Sequence, residues 1–104
     1  MNRVFKALSD PTRRRVLQLL RDRPMTAGEL ADRFHLAKPT MSAHFAVLRE
    51  ADLIYAEKSG TTITYRIRTS VLEEALLEFA EAVGLEVAPK TKQATRRKIM
   101  ENEA

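Results

Sequence analysis

The chain has no cysteine. This excludes disulfides, thiolate metal sites, cysteine nucleophiles and thiol redox sensing. Its three glycines are isolated, so no glycine-rich loop can cradle a phosphate. Apolar runs are short, and none approaches the ~18 residues that a membrane span requires. The start, Met1-Asn-Arg-Val-Phe-Lys6, carries no apolar core of the kind that defines a secretory signal. No Ser/His/Asp set has a spacing suited to nucleophilic catalysis, so an enzyme is not expected and no catalytic residue or cofactor is assigned. The expected location is the cytoplasm.

What the chain does have is one domain's worth of residues, 104, of which 44% are hydrophobic. That is enough for a globular core but marginal for a free-standing one, so self-association is a natural expectation. The net charge of +4 is strongly zoned. Residues 1–68 carry 13 Lys/Arg against 7 Asp/Glu, residues 69–88 carry five Glu and no Lys/Arg, and residues 89–104 carry five Lys/Arg against two Glu. A basic first portion beside an acidic last helix suits a molecule with one face turned to phosphates and another kept away from them.

Along the chain, Val4, Phe5 and Leu8 mark a short first helix. Asp10-Pro11 pairs an N-cap residue with a proline suited to the first helical position. A second helix to about Asp22 then buries Val16, Leu17, Leu19 and Leu20. Arg13, Arg14 and Arg15 fall largely off that stripe and are open to phosphate contact or to a scaffold role. Thr26 and Glu29 have capping-box spacing. They open a helix to about Phe34 whose inner face is Ala27, Leu30, Ala31 and Phe34. After a turn at 35–38, where His35 is read as a solvated loop residue, a further helix runs from about Pro39 to Ala51. Met41, Phe45 and Leu48 recur along it at i, i+4, i+7. With that stripe inward, Pro39, Ala43, Ala46 and Glu50 face outward, with Ser42 on one flank and Thr40 and Val47 on the other.

Beyond Leu53 the period changes from 3.6 to 2. Ile54–Lys58 and Thr62–Arg68 read as a β-hairpin turning at Ser59-Gly60. Ser70 and Glu73 again have capping-box spacing and open the last helix. Its apolar positions cover more than one face and need a cover, for which the same helix of a second copy is expected. Gly84 is a plausible C-cap. Residues 1–88 are read as a single domain and 89–104 as a mobile basic tail, whose Arg96-Arg97-Lys98 run grips neighbouring phosphates or nothing.

The order helix, helix, helix, helix, hairpin, helix is that of a winged helix-turn-helix: mainly α with a small β-hairpin. Its second motif helix enters the major groove of double-stranded DNA while the hairpin wing lies along the backbone. Thr40 and Ser42 supply hydroxyls to base edges, and Ala43 and Val47 can meet a thymine methyl. Lys38, Arg49 and Lys58 suit phosphates. The DNA-facing set expected from the sequence is Lys38, Pro39, Thr40, Ser42, Ala43, His44, Val47, Arg49, Lys58, Ser59, Gly60, Thr61 and Thr62. His44 lies beside the inner stripe, so a hydrogen-bonded structural role stays open for it.

Three segments carry a family resemblance: Phe5-Lys-Ala-Leu-Ser-Asp-Pro-Thr-Arg-Arg-Arg15, Thr26-Ala-Gly-Glu-Leu30 and Lys38-Pro-Thr-Met-Ser-Ala-His-Phe-Ala-Val-Leu48. They continue into Ala51-Asp-Leu-Ile54, Lys58-Ser-Gly60 and Thr64-Tyr65. Over about residues 3–84 the chain resembles the ArsR family of small dimeric winged-helix repressors. Within it, the chain is most similar to the Sdp-type autorepressors, which lack the metal-binding cysteines. The resemblance implies a homodimer through the first and last helices, here Val4, Phe5, Leu8, Leu72, Leu76, Phe79 and Val83, bound to a palindromic operator. It also implies departures. Ala37 replaces the Ser usual before Lys38-Pro39, removing an N-cap. The family's sensing thiolates would fall at Thr26 and Gly28, which cannot supply them. The family's other metal site, on the last helix, uses Asp and His, whereas this helix offers Glu73, Glu74, Glu78 and Glu81. Those glutamates are read as a solvated face, and no metal site is assigned. Two alternatives differ in consequence: an effector-gated sensor of the same fold, answering to a metal, small ligand or regulatory protein, and a winged helix used only for protein interaction.

Overall fold

The computed structural model describes residues 2–87. In chain order the elements are α1 (Asn2–Leu8), α2 (Pro11–Asp22), β1 (Met25–Thr26), α3 (Ala27–Ala31), α4 (Lys38–Glu50), β2 (Ile54–Ser59), β3 (Thr62–Ile67) and α5 (Thr69–Ala82). The anticipated tail at 89–104, and Ala88, lie outside the described residues.

Helix boundaries follow from local chemistry. Asp10 caps α2 by accepting the Arg13 backbone N–H at 3.1 Å, with Pro11 at the first helical position. At α3 the box closes both ways. Thr26 Oγ1 accepts the Glu29 N–H at 3.1 Å, and Glu29 Oε1 accepts the Thr26 N–H at 3.0 Å. Two helices end in paired backbone bonds around a left-handed residue. After α5, Gly84 (φ 79°) donates to Glu81 O and Leu85 to Ala80 O at 2.7 Å. After α4 the same pair runs from Asp52 (φ 58°) to Arg49 O and from Leu53 to Leu48 O at 3.1 Å.

Several expectations are corrected. The last helix starts at Thr69 with Arg68 at its cap position, and no Ser70–Glu73 box forms. Arg68 is pinned from outside the helix: its N–H donates to Leu53 O at 2.8 Å, and its guanidinium lies over the Tyr55 ring, 4.5 Å from the centroid. The third helix stops at Ala31, because Arg33 and Phe34 donate to Leu30 and Ala31 in i→i−3 turns rather than continuing the α pattern. The sheet has three antiparallel strands in the order β1-β3-β2, not two, with Met25 opposite Tyr65 and Thr26 opposite Thr64. Two residues show no alternation; their pairing with β3 and the buried Met25 side chain fix them.

One core joins all the helices. Met41, Phe45 and Leu48 of α4 meet Val16, Leu17 and Leu20 of α2, Leu30 of α3, and Leu53, Ile54 and Tyr65 of the sheet. Phe45 and Tyr65 stack with centroids 4.8 Å apart. In α1 the buried residues are Val4 and Ala7, while Phe5 and Leu8 are half-buried. In α5 only Ala75 and Ala80 are buried.

Candidate nucleic-acid interface

Because Met41, Phe45 and Leu48 hold one side of α4 in the core, the opposite side is outward by geometry alone. Lys38, Pro39, Thr40, Ser42, Ala43, Ala46, Arg49 and Glu50 are all exposed. Small and hydroxyl side chains dominate this surface, so it can come close to another surface while still offering donors and acceptors. The start of α4 has no side-chain cap: Ala37, at φ −63° and ψ 148°, has cap geometry but nothing to accept with. Replacing it supplies the missing acceptor. Ala37→Ser should stabilise the fold by about 1 kcal/mol. For a domain of this size that raises the melting midpoint by about 4–8 °C, read by circular dichroism.

The hairpin presents Lys58, Ser59, Gly60, Thr61 and Thr62 at an exposed tip, with Ser59 paired to Thr62 across the turn. Gly60 stands at φ 60° with no atom within 4 Å of where a Cβ would sit. Glycine is favoured there for its backbone and not for lack of space. Behind the tip, Arg66 Nε meets Glu57 Oε1 at 3.0 Å across the two strands.

Two members of the expected DNA-facing set are turned in. Val47 packs against the core. His44 points at the α1–α2 junction, where Nδ1 lies 3.2 Å from Arg13 Nη1 and 3.9 Å from Asp10 Oδ2. Sequence reasoning missed this junction. Arg13 Nε donates to Ala7 O at 2.8 Å and Nη2 to Lys6 O at 2.9 Å, and Arg14 Nη1 donates to Leu8 O at 2.8 Å. Two guanidiniums therefore bond the last carbonyls of α1, at the negative end of its dipole, where Lys6 O also accepts from Ser9. The Asp-Pro-Thr-Arg-Arg run of residues 10–14 is a scaffold device here. Its signal was present in the sequence, but the partners of Arg13 stand six and seven residues back and 31 residues ahead.

The junction has a pH signature. Burial works to raise the Asp10 carboxyl. The Arg13 N–H bond, the charge of His44, the Thr12 N–H and the Arg13 charge outweigh it and hold the group below its usual value of 3.8. Glu29 is likewise lowered, by the Thr26 N–H and then by Arg23 at 3.1 Å. A carboxyl lowered in the folded state contributes stability that is complete above its unfolded pKa and is lost as pH falls through the folded one. The part of the melting midpoint owed to these two carboxyls should therefore be flat above about pH 5 and fall on acidification below about pH 4. Asp10→Asn, which still caps α2, should make that acid fall shallower in a series of thermal melts.

The expected dimer residues occupy two settings. Val4 is 5% exposed inside the protomer's own core and offers nothing outward, which corrects its assignment. Phe5, Leu8 and Leu72 are half-buried. Leu76, Phe79 and Val83 are 45%, 44% and 54% exposed, an apolar row at helical spacing. Phe5 and Phe79 stack at 5.0 Å with a 60° tilt, joining α1 to α5 in one surface. The Thr26 hydroxyl is occupied with capping α3.

A helix-turn-helix domain family matches residues 8–54, which run from the end of α1 through α4 to the first residue of β2. The transcriptional repressor SdpR of Bacillus subtilis (strain 168) is 45% identical over 76 residues, covering 73% of this chain and 84% of that protein. The HTH-type transcriptional regulator KmtR of Mycobacterium tuberculosis is 39% identical over 75 residues, covering 72% of this chain and 58% of that one. Among solved structures, an ArsR family transcriptional regulator superposes with a TM-score of 0.74 at 35% identity, covering 80% of this chain and 91% of its own. With its order of helices, three-stranded sheet and outward α4, the chain belongs to the ArsR family of winged helix-turn-helix DNA-binding transcriptional regulators.

Proposed function

We propose that the chain represses transcription by occupying a palindromic operator as a homodimer, its own promoter being the first candidate target. The observation that carries this is the outer face of α4, exposed, small and hydroxyl-bearing, on a helix whose inner face is locked in the core. Thr40, Ser42 and Ala43 read base edges in the major groove. Lys38, Arg49 and the wing tip at Lys58–Thr62 hold phosphates. The apolar row of Leu76, Phe79 and Val83, with Phe5, closes the dimer. A two-fold axis through that surface sets the two α4 helices to read half-sites about 34 Å apart. The domain responsible is residues 1–88, with 89–104 as an appended basic tail, and the protein acts in the cytoplasm and not as an enzyme. Among the described residues no helix is long and apolar enough to cross a membrane.

Selection of bound duplexes from a random pool, followed by gel shifts, tests the reading. An inverted repeat is expected, with affinity falling steeply with salt as phosphate contacts are screened. No preference for any palindrome over random duplex would reject operator repression.

A further inference from the structure

His44 stands in the middle of the DNA-reading helix, yet its side chain is only 15% exposed and faces away from the groove side. Its neighbours decide its chemistry. A guanidinium only donates. Arg13 Nη1 lies 3.2 Å from His44 Nδ1, so the two are bonded when Nδ1 accepts and the ring carries its proton on Nε2. The same guanidinium holds Ala7 O and Lys6 O at the end of α1, and the backbone N–H of Arg13 is held by Asp10. A single arginine thus ties the end of α1, the start of α2 and the middle of α4.

We propose that His44 is a positioning residue: through Arg13 it sets the roll of α4 about its own axis, and it does not itself touch DNA. This rests on the reading of α4 as the DNA-contacting helix. Elsewhere along its length the helix is held by packing rather than by directional polar bonds from its side chains. Met41, Phe45 and Leu48 are an apolar stripe, and apolar burial is non-directional. The N-terminus lacks a side-chain cap. A hydrogen bond from a fixed, planar donor is directional. The lever is sensitive: on a helix about 5–6 Å in radius, a 20° roll carries a side-chain tip about 2 Å, enough to break a base contact.

The test uses a shape-matched pair, with binding to the selected operator measured by fluorescence anisotropy. His44→Asn keeps an acceptor where Nδ1 stood and nothing where Nε2 stood. His44→Leu has the shape of Asn without the acceptor. Operator affinity should fall about tenfold in His44→Leu and stay within about twofold of wild type in His44→Asn. The loss should be uniform over single base-pair changes in the operator, with the salt slope unchanged, because no base or phosphate contact is removed. In an Arg13→Met background, His44→Leu should cost nothing further. Asn as damaging as Leu, a loss confined to one base pair, or additive losses with Arg13→Met would each overturn the proposal. Should Arg13→Met fail to fold, the Asn/Leu pair alone decides. Nitrogen-15 shifts of the His44 ring, read without DNA, should show the proton on Nε2, and a proton on Nδ1 would also overturn it. Failure of the wild type to select any operator is a separate result, and it strikes the DNA-binding reading instead.

Discussion

Ser42→Glu should lower operator affinity by at least about 100-fold while leaving the protein folded. Ser42 is exposed on α4 one residue after the buried Met41, so its side chain stands at the edge of the groove-facing surface. Glutamate there brings a longer side chain into a space suited to a hydroxyl, and a negative charge against two rows of phosphates. Helix stability should not suffer, since glutamate is a better helix former than serine. The pair of measurements is therefore diagnostic: an unchanged thermal melt with lost gel shift. Ser42→Ala is the milder control, removing one hydroxyl contact at a cost of about 1 kcal/mol and no repulsion. If Ser42→Glu bound the selected operator as wild type does, α4 would not be the reading element. The fold would then serve some other contact, such as protein interaction.

The second large effect is expected at the opposite end of the molecule. Leu76→Glu should convert the proposed dimer to monomer in sedimentation equilibrium and weaken operator binding by at least about 100-fold. Leu76 is 45% exposed within the apolar row that continues through Phe79 and Val83. Were that row closed by the same row of a second copy, a two-fold interface would bury both glutamates without partners, at several kcal/mol for each. Because Leu76 is half outside the protomer's core, the monomer should keep its helical circular dichroism. The affinity loss follows from geometry. A monomer reads one half-site and forfeits the gain from two linked contacts. A variant that stayed dimeric would place the interface elsewhere, and one that became monomeric yet bound the palindrome as before would remove the need for a dimer.

Both predictions concern surfaces whose existence the sequence announces but whose membership it does not fully settle. The α4 stripe of Met41, Phe45 and Leu48 is legible because burial on a helix repeats with the helical period, and the structure buries those three residues. Cap chemistry was legible where it is local: Asp10 with Pro11, Thr26 with Glu29, and Gly84 after α5 all stand where their spacing placed them. Ser70 and Glu73 have the same spacing as Thr26 and Glu29 and still form no box. The difference is tertiary. Thr26 is held by its pairing with Thr64 at the position where its side chain meets Glu29, whereas Arg68 is held by Leu53 O and the Tyr55 ring too early for Ser70 to cap, and the helix starts directly after it. Strand β1 escaped notice for a related reason. A two-residue strand has no period, and its identity comes from the edge of β3 opposite it.

By itself the sequence determined the order of the helices and the hairpin, the inner sides of α2 and α4, the hairpin turn at Gly60 and the absence of thiolate chemistry. Each of these depends on spacing within a few residues or on which residues are present at all. Only the tertiary structure decided that Val4 belongs to the core and not to an outward surface. It also decided that Arg13 closes the end of α1 and that His44 faces Arg13 and Asp10. A helical angle places His44 at the boundary between the inner and outer faces, and from there either direction is open. What turns it inward is a donor 31 residues away in the chain. Contacts over that distance are created by packing, and no local pattern encodes them.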